Sequence, residues 1–192
     1  MAGVLVCSTR CRPLRSRSDA VQSCVYAYRY DKTYRFDSDR GELTIGFRLV
    51  NTGKRGFSFE HYNHNWFSFD DDPVDRETFM ESGFELPALP YPWLIRREAR
   101  LHPDPARPPS FFAPLFVEVP PERGWVRVVR AGTGWGVTVR SDTALSGFAL
   151  YMTPRAICPE LFVTHRVEPG DKAAWELRYR FTPFRDAAAP PG

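Results

Sequence analysis

The 192-residue sequence has no apolar run near the roughly 20 residues that a membrane-spanning helix needs, so a helical anchor is excluded and a soluble domain is expected. Its four cysteines form no CxxC pair. Cys7, Cys11 and Cys24 lie near the start and Cys158 far from them, which suits neither a disulfide framework nor a tetrahedral zinc site. Reduced thiols and a cytoplasmic location are the expectation. There is no GxSxG and no Gly-rich phosphate loop, which removes the nucleophile-elbow and nucleotide-binding chemistries. Nowhere do apolar residues keep a 3.6-residue period for three turns, which argues against long helices.

Surplus charge is also missing from the body of the chain. Of 26 basic and 23 acidic residues, Arg10, Arg12, Arg15, Arg17 and Asp19 fall within residues 1–23, so the remainder carries 22 of each sign. A nucleic-acid binder needs a basic face on its folded body, and no nucleic-acid or membrane partner is expected. The start, with its short apolar piece ahead of the arginines, reverses the order of a secretory signal. We expect residues 1–23 to be a basic, disordered segment and residues 185–192 a disordered tail.

What is present is an aromatic, turn-rich sequence: 43% hydrophobic, 15% aromatic, with 18 prolines and 13 glycines, a balance that favours short strands. In Glu42–Val50, Leu43, Ile45, Phe47 and Leu49 alternate with Thr44, Gly46 and Arg48, a half-buried strand followed by the turn Asn51-Thr52-Gly53-Lys54. A further strand is read over His61–Phe69. Residues 86–114 carry eight prolines and read as one long loop. Trp125–Arg130 and Trp135–Arg140 form a hairpin about Ala131–Gly134, and Ser146–Met152, Pro159–His165 and Trp175–Thr182 complete the set. Glu168-Pro169-Gly170-Asp171 makes the last turn. The expectation is one all-β domain over residues 24–184, an antiparallel β-sandwich.

Two places carry chemistry. The segment His61-Tyr62-Asn63-His64-Asn65-Trp66-Phe67 sets two histidines, natural proton carriers near neutral pH, among amides that bind hydroxyls without charge. On a strand, Tyr62, His64 and Trp66 share one face and His61, Asn63, Asn65 and Phe67 the other. His61 and His64 therefore cannot chelate one metal, and no metal site is assigned. An imidazole between two aromatic rings resembles a sugar-binding wall; the bland alternative is a core histidine among aromatics. Glu160 is the second place, a carboxylate at the start of an apolar strand, with solvent or Arg155 as its ordinary partner. Asp70-Asp71-Asp72 reads as a solvated turn, His165 as an exposed strand residue, and His102 as a loop residue.

In this setting LVNTGKRGFSFEHYNHNWFSFD resembles the aldose 1-epimerase (galactose mutarotase-like) superfamily, whose Asn-Thr-Gly-type turn leads to an Asn-His followed by aromatics. ICPELFVTHRVEPGDKAAWELRYRF is similar to that family's closing strands, with Glu160, Pro169-Gly170 and Trp175 through Phe181 at matching positions. The resemblance covers about residues 26–184 and implies a β-supersandwich that lacks the family's N-terminal strands. It implies an isomerase acting on a hexose or hexose derivative, with Glu160 as general base on the C1 hydroxyl and His64 as general acid on the ring oxygen. Tyr62, Asn63 and Trp66 would contact the sugar, no cofactor or metal is required, and the imidazole and carboxylate would stand about a sugar ring apart. The alternative is a carbohydrate-binding or structural sandwich that has lost turnover.

Overall fold

Alternation along the strands, more than any single motif, builds this molecule. The computed structural model describes residues 2–10, 25–86, 91–104, 106, 110–115 and 117–184, with only the backbone of residues 2–10. In chain order the strands are β1 (Ala2–Arg10), β2 (Tyr28–Asp37), β3 (Glu42–Asn51), β4 (Phe57–His61), β5 (Thr78–Ser82), β6 (Leu94–Arg97), β7 (Arg100–Pro103), β8 (Phe111–Leu115), β9 (Trp125–Arg130), β10 (Trp135–Ser141), β11 (Gly147–Met152), β12 (Ile157–Val167) and β13 (Lys172–Pro183). A 3-10 turn at Pro121–Arg123 is the one helical piece among the described residues. No helix there is long and apolar enough to cross a membrane.

The strands form two antiparallel sheets. Nine run in the order β1-β2-β3-β13-β10-β9-β5-β7-β6, and four in the order β4-β12-β11-β8. Alternate residues of β3 (Ile45, Phe47, Leu49), β10 (Val137, Val139) and β13 (Trp175, Leu177, Tyr179) are buried, as are Phe148, Leu150 and Met152 of β11 and Leu161 and Val163 of β12. All of these but Val137 belong to one continuous hydrophobic cluster, the all-β sandwich that the alternation predicts.

Three sequence expectations change. The first 23 residues were expected to be disordered, but Ala2–Arg10 pairs along its whole length with β2, from Ala2 opposite Asp37 to Arg10 opposite Arg29. Residues 11–24 and the expected tail at 185–192 lie outside the described residues. The Pro-rich stretch is not one loop, since β6 and β7 form a hairpin and β8 pairs with β11. Two of its prolines sit where a missing N–H is tolerated: Pro103 ends β7, and Pro114 lies in β8, an edge strand. Finally, the strand expected from His61 ends there, for β4 is Phe57–His61.

The Asn51-Thr52-Gly53 turn aligns β4. Asn51 is fully buried. Its amide donates to the carbonyls of Arg55 (2.9 Å) and Val167 (3.2 Å), and its oxygen accepts from Gly53 N–H (2.9 Å). Position 53 must be glycine because a Cβ there would come within 2.6 Å of Ala27 N and 2.8 Å of Val25 O. One buried amide thus ties the end of β3 to the end of β12, and β4 follows into register with β12.

Candidate active site

Register decides which side chains meet. His61 pairs with Val163 and Phe67 bridges Ile157, so the two anchors are six residues apart on both segments. No residue is inserted between them. Residues 62–66 therefore run opposite 158–162, and His64 stands opposite Glu160.

The ladder opens between the anchors for a covalent reason. Phe67 and Ile157 exchange both backbone hydrogen bonds, at 2.9 and 3.0 Å. Two residues on, the next such exchange would join Asn65 to residue 159. That residue is Pro159, which has no N–H to give. The Asn65 side chain ties the two segments instead, its Nδ2 donating to the Pro159 carbonyl at 2.7 Å. His64 and Glu160 fall at the intervening position, where opposed side chains come closest.

The open segment keeps strand-like parity. On the core side, Tyr179 OH donates to Asn65 Oδ1 (2.6 Å) and accepts from Asn63 Nδ2 (3.1 Å). Burial pushes the Tyr179 phenol up to about 12, which keeps it the donor to Asn65. On the outer side, Tyr62 stacks on Phe162 with ring centroids 4.5 Å apart, and Trp66 meets Tyr151 edge-on at 5.2 Å. Between them His64 Nδ1 lies 2.5 Å from Glu160 Oε1. The Glu160 side chain is 3% exposed and that of His64 60% exposed, so the imidazole is the solvent-facing cap of a buried carboxylate. With Nδ1–H donating to the carboxylate, a neutral ring keeps its lone pair on Nε2.

The structure thus brings His64, Glu160, Tyr62 and Trp66 to one face. It corrects the position of Asn63, whose amide is engaged by Tyr179 behind the segment; its contribution is to hold the backbone that presents His64. It also corrects the expected spacing, since the imidazole and carboxylate touch. Glu160 is not partnered by Arg155, which pairs with Asp71. Asp72, with Asp75, pairs with the buried Arg130, so the acidic turn is neutralised by arginines. His165 is not exposed in the manner expected: its ring packs against Trp175 (4.8 Å) and Phe59 (5.4 Å). His102 belongs to β7, against Phe79 at 5.4 Å.

The core-histidine alternative applies to the neighbour. His61 lies 4.4 Å from the Phe47 ring and 4.9 Å from that of Trp175, and its Nδ1 accepts from Trp175 Nε1 at 3.1 Å. Burial lowers its pKa to about 4, helped by Lys32 and His165.

Sequence reasoning missed Cys158, Asn65 and Tyr179. Cys158 was legible: two residues before Glu160 on one strand, it shares that face. Its Sγ lies 3.7 Å from Glu160 Oε1, and burial followed by the nearby carboxylate pushes the thiol up to about 12. Among the described residues, His64, Cys158 and Glu160 are the one group able to hold a metal ion, their ligand atoms all within 4.8 Å of one another.

No family model matches this chain, and no curated protein matches it by sequence. Solved structures do match. An aldose epimerase homologue from C. elegans shares the fold over 95% of this chain and 66% of its own, with a TM-score of 0.65 and 13% identity. A galactose mutarotase-like protein from Clostridium acetobutylicum matches over 95% and 63%, with a TM-score of 0.64 and 8% identity. Another, from Lactobacillus casei, matches over 93% and 70%, with 0.63 and 11%. The fold is the galactose mutarotase-like sandwich. This chain spans about two thirds of the length of those mutarotase-like structures.

Proposed function

We propose that this chain is an aldose 1-epimerase-like protein that interconverts the α and β anomers of a hexose or hexose derivative. The observation that carries the reading is the His64–Glu160 pair, held in register on a solvent-facing sheet surface between two exposed aromatic rings. Tyr62 and Trp66 offer apolar faces to the C–H surface of a pyranose, while the pair offers a base and an acid.

The contact between the two groups suits the chemistry better than a wide separation. The C1 hydroxyl and ring oxygen O5 are bonded to the same carbon, so the groups serving them need lie only about one hydrogen bond apart. Glu160 takes the proton of the C1 hydroxyl, protonated His64 gives one to O5, and the C1–O5 bond opens to the aldehyde. Rotation about C1–C2 presents the other carbonyl face. On closure the O5 hydroxyl attacks C1 and returns its proton to His64, while Glu160 protonates O1. Both groups finish as they began. Each supplies about 10² to 10⁴-fold as general acid or base.

Polarimetry of freshly dissolved α-glucose and α-galactose tests this directly. The expected result is faster decay to the equilibrium rotation than in buffer, and loss of that gain in Glu160→Gln. No acceleration with any aldose would end the catalytic reading. The second reading, a sugar-binding sandwich without turnover, is favoured by the burial of Glu160 beneath the His64 ring, its side chain 3% exposed. A sugar-induced rise in melting temperature with no change in mutarotation would select it.

A further inference from the structure

Cys158 is the group at this site that the epimerase reading leaves without a task. We infer that the outer face of β12 carries a three-ligand site for a divalent cation of zinc type, formed by Cys158 Sγ, Glu160 and His64 Nδ1. A bound ion blocks epimerisation by occupying both the acid and the base. The second statement rests on the proposed function; the first does not.

Strand parity puts the ligands together. Cys158 and Glu160 are two apart on β12 and project from the same face, while His64 stands across from Glu160 and diagonal to Cys158. All three ligand atoms lie within 4.8 Å of one another. Zinc binds nitrogen, oxygen and sulfur at about 2.0–2.3 Å, which places tetrahedral ligands roughly 3.3–3.8 Å apart. The Cys158–Glu160 separation of 3.7 Å already meets this. The His64–Glu160 contact of 2.5 Å must widen by about 1 Å to admit such an ion, and the exposed ring is free to swing outward.

The ligand types select the ion. Thiolate with imidazole and one carboxylate favours zinc over magnesium or calcium, which prefer all-oxygen shells. Three protein ligands leave the fourth position open on the His64 side, toward solvent. Binding sends the Sγ proton to solvent, and the imidazole shifts its proton from Nδ1 to Nε2, so it coordinates as a neutral ligand.

The test uses tag-free full-length protein and the metals alone. Titration calorimetry with zinc chloride should show one ion per chain. Cobalt chloride should produce a thiolate-to-cobalt charge-transfer band in the near ultraviolet. Cys158→Ser leaves Cys7, Cys11 and Cys24 in place, yet should abolish the band and weaken zinc by at least about 100-fold, beyond the loss of an outer partner. Failure of the wild type to bind, or a band that persists in Cys158→Ser, overturns the site. If Cys158→Ser does not fold, His64→Ala decides, because that ring is exposed; undiminished zinc affinity there rejects the site. In the polarimeter, one equivalent of zinc should halt mutarotation, EDTA should restore it, and Cys158→Ser should keep its activity in zinc. Turnover that continues with zinc bound refutes the block. A chain with no turnover at all sinks the epimerase reading and leaves the binding results to judge the site.

Discussion

His61 and His64 are three residues apart and occupy opposite environments. His61 closes the hydrogen-bonded part of the β4–β12 ladder and turns inward, where Trp175, Phe47 and Tyr30 surround it. His64 lies where the ladder has opened and turns outward onto Glu160. The same residue type is a structural element on one side and a candidate proton carrier on the other. An odd offset on a strand changes faces, and Pro159 frees the backbone just where the outward histidine is displayed. The inner side is fixed by packing and the outer by one hydrogen bond to a buried carboxylate.

The largest expected effect separates the sides by chemistry. Glu160→Gln keeps the size and the hydrogen-bonding capacity of the side chain but removes the base, and mutarotation should fall about 10² to 10⁴-fold. His61→Gln, whose carbonyl can still accept from Trp175, should lose less than tenfold, the cost of about 1.4 kcal/mol in transition-state binding. Equal losses in the polarimeter would break the division between the two histidines.

Stability should show the reverse order. Trp175 is 1% exposed and stacks on Phe47 at 5.4 Å, so Trp175→Ala should cost about 3–5 kcal/mol in urea unfolding. Trp66 is 51% exposed, and Trp66→Ala should stay within about 0.5 kcal/mol. A Trp66 cost close to that of Trp175 would mean that the outer aromatics are packing and not a ligand wall.

Tyr179 joins the two sides, since its hydroxyl serves both asparagines behind the His64 segment. Tyr179→Phe leaves Asn65 Oδ1 without this donor and should cost about 1–3 kcal/mol. It should also quicken hydrogen exchange in residues 62–66 while lowering turnover less than Glu160→Gln does. Unchanged exchange in that segment would show that the asparagines do not hold it.

How far the sequence could be read follows the same line. Sequence pattern located β3, β9, β10 and β11 nearly to the residue, and β13 with a start three residues late. The face assignments for Tyr62, His64 and Trp66 were legible from parity alone, even though the strand assigned there was not a continuous ladder. What resisted was long-range: the pairing is broken opposite Asn65 by Pro159, far along the sequence. β6 to β8 were hidden because a proline-rich sequence still allows edge and strand-end positions. Asn63 was assigned to the sugar by the resemblance, although parity had already set it on the face opposite His64, where Tyr179 takes its amide. Cys158 was passed over because cysteine patterns were sought along the sequence and not across the face it shares with Glu160.

The smallest effect concerns pH and the inner histidines. In the fold, burial lowers the pKa of His61 to about 4 and also lowers that of His165, whereas in the unfolded chain both titrate near 6.5. Between those values the unfolded chain binds more protons, so stability is full above about pH 6.5 and declines as pH falls toward 4. Carboxylates add their own slope at the acid end, which makes the comparison with a variant decisive. The urea midpoint of the wild type should drop between pH 6.5 and 4.5, and His61→Gln should flatten part of that drop. Trp66→Ala, which removes an exposed ring that carries no titrating group, should leave the curve's shape in this window nearly as it was. If Trp66→Ala flattens the drop as much as His61→Gln does, the slope does not come from the inner histidine, and the assignment of His61 to structure loses its support.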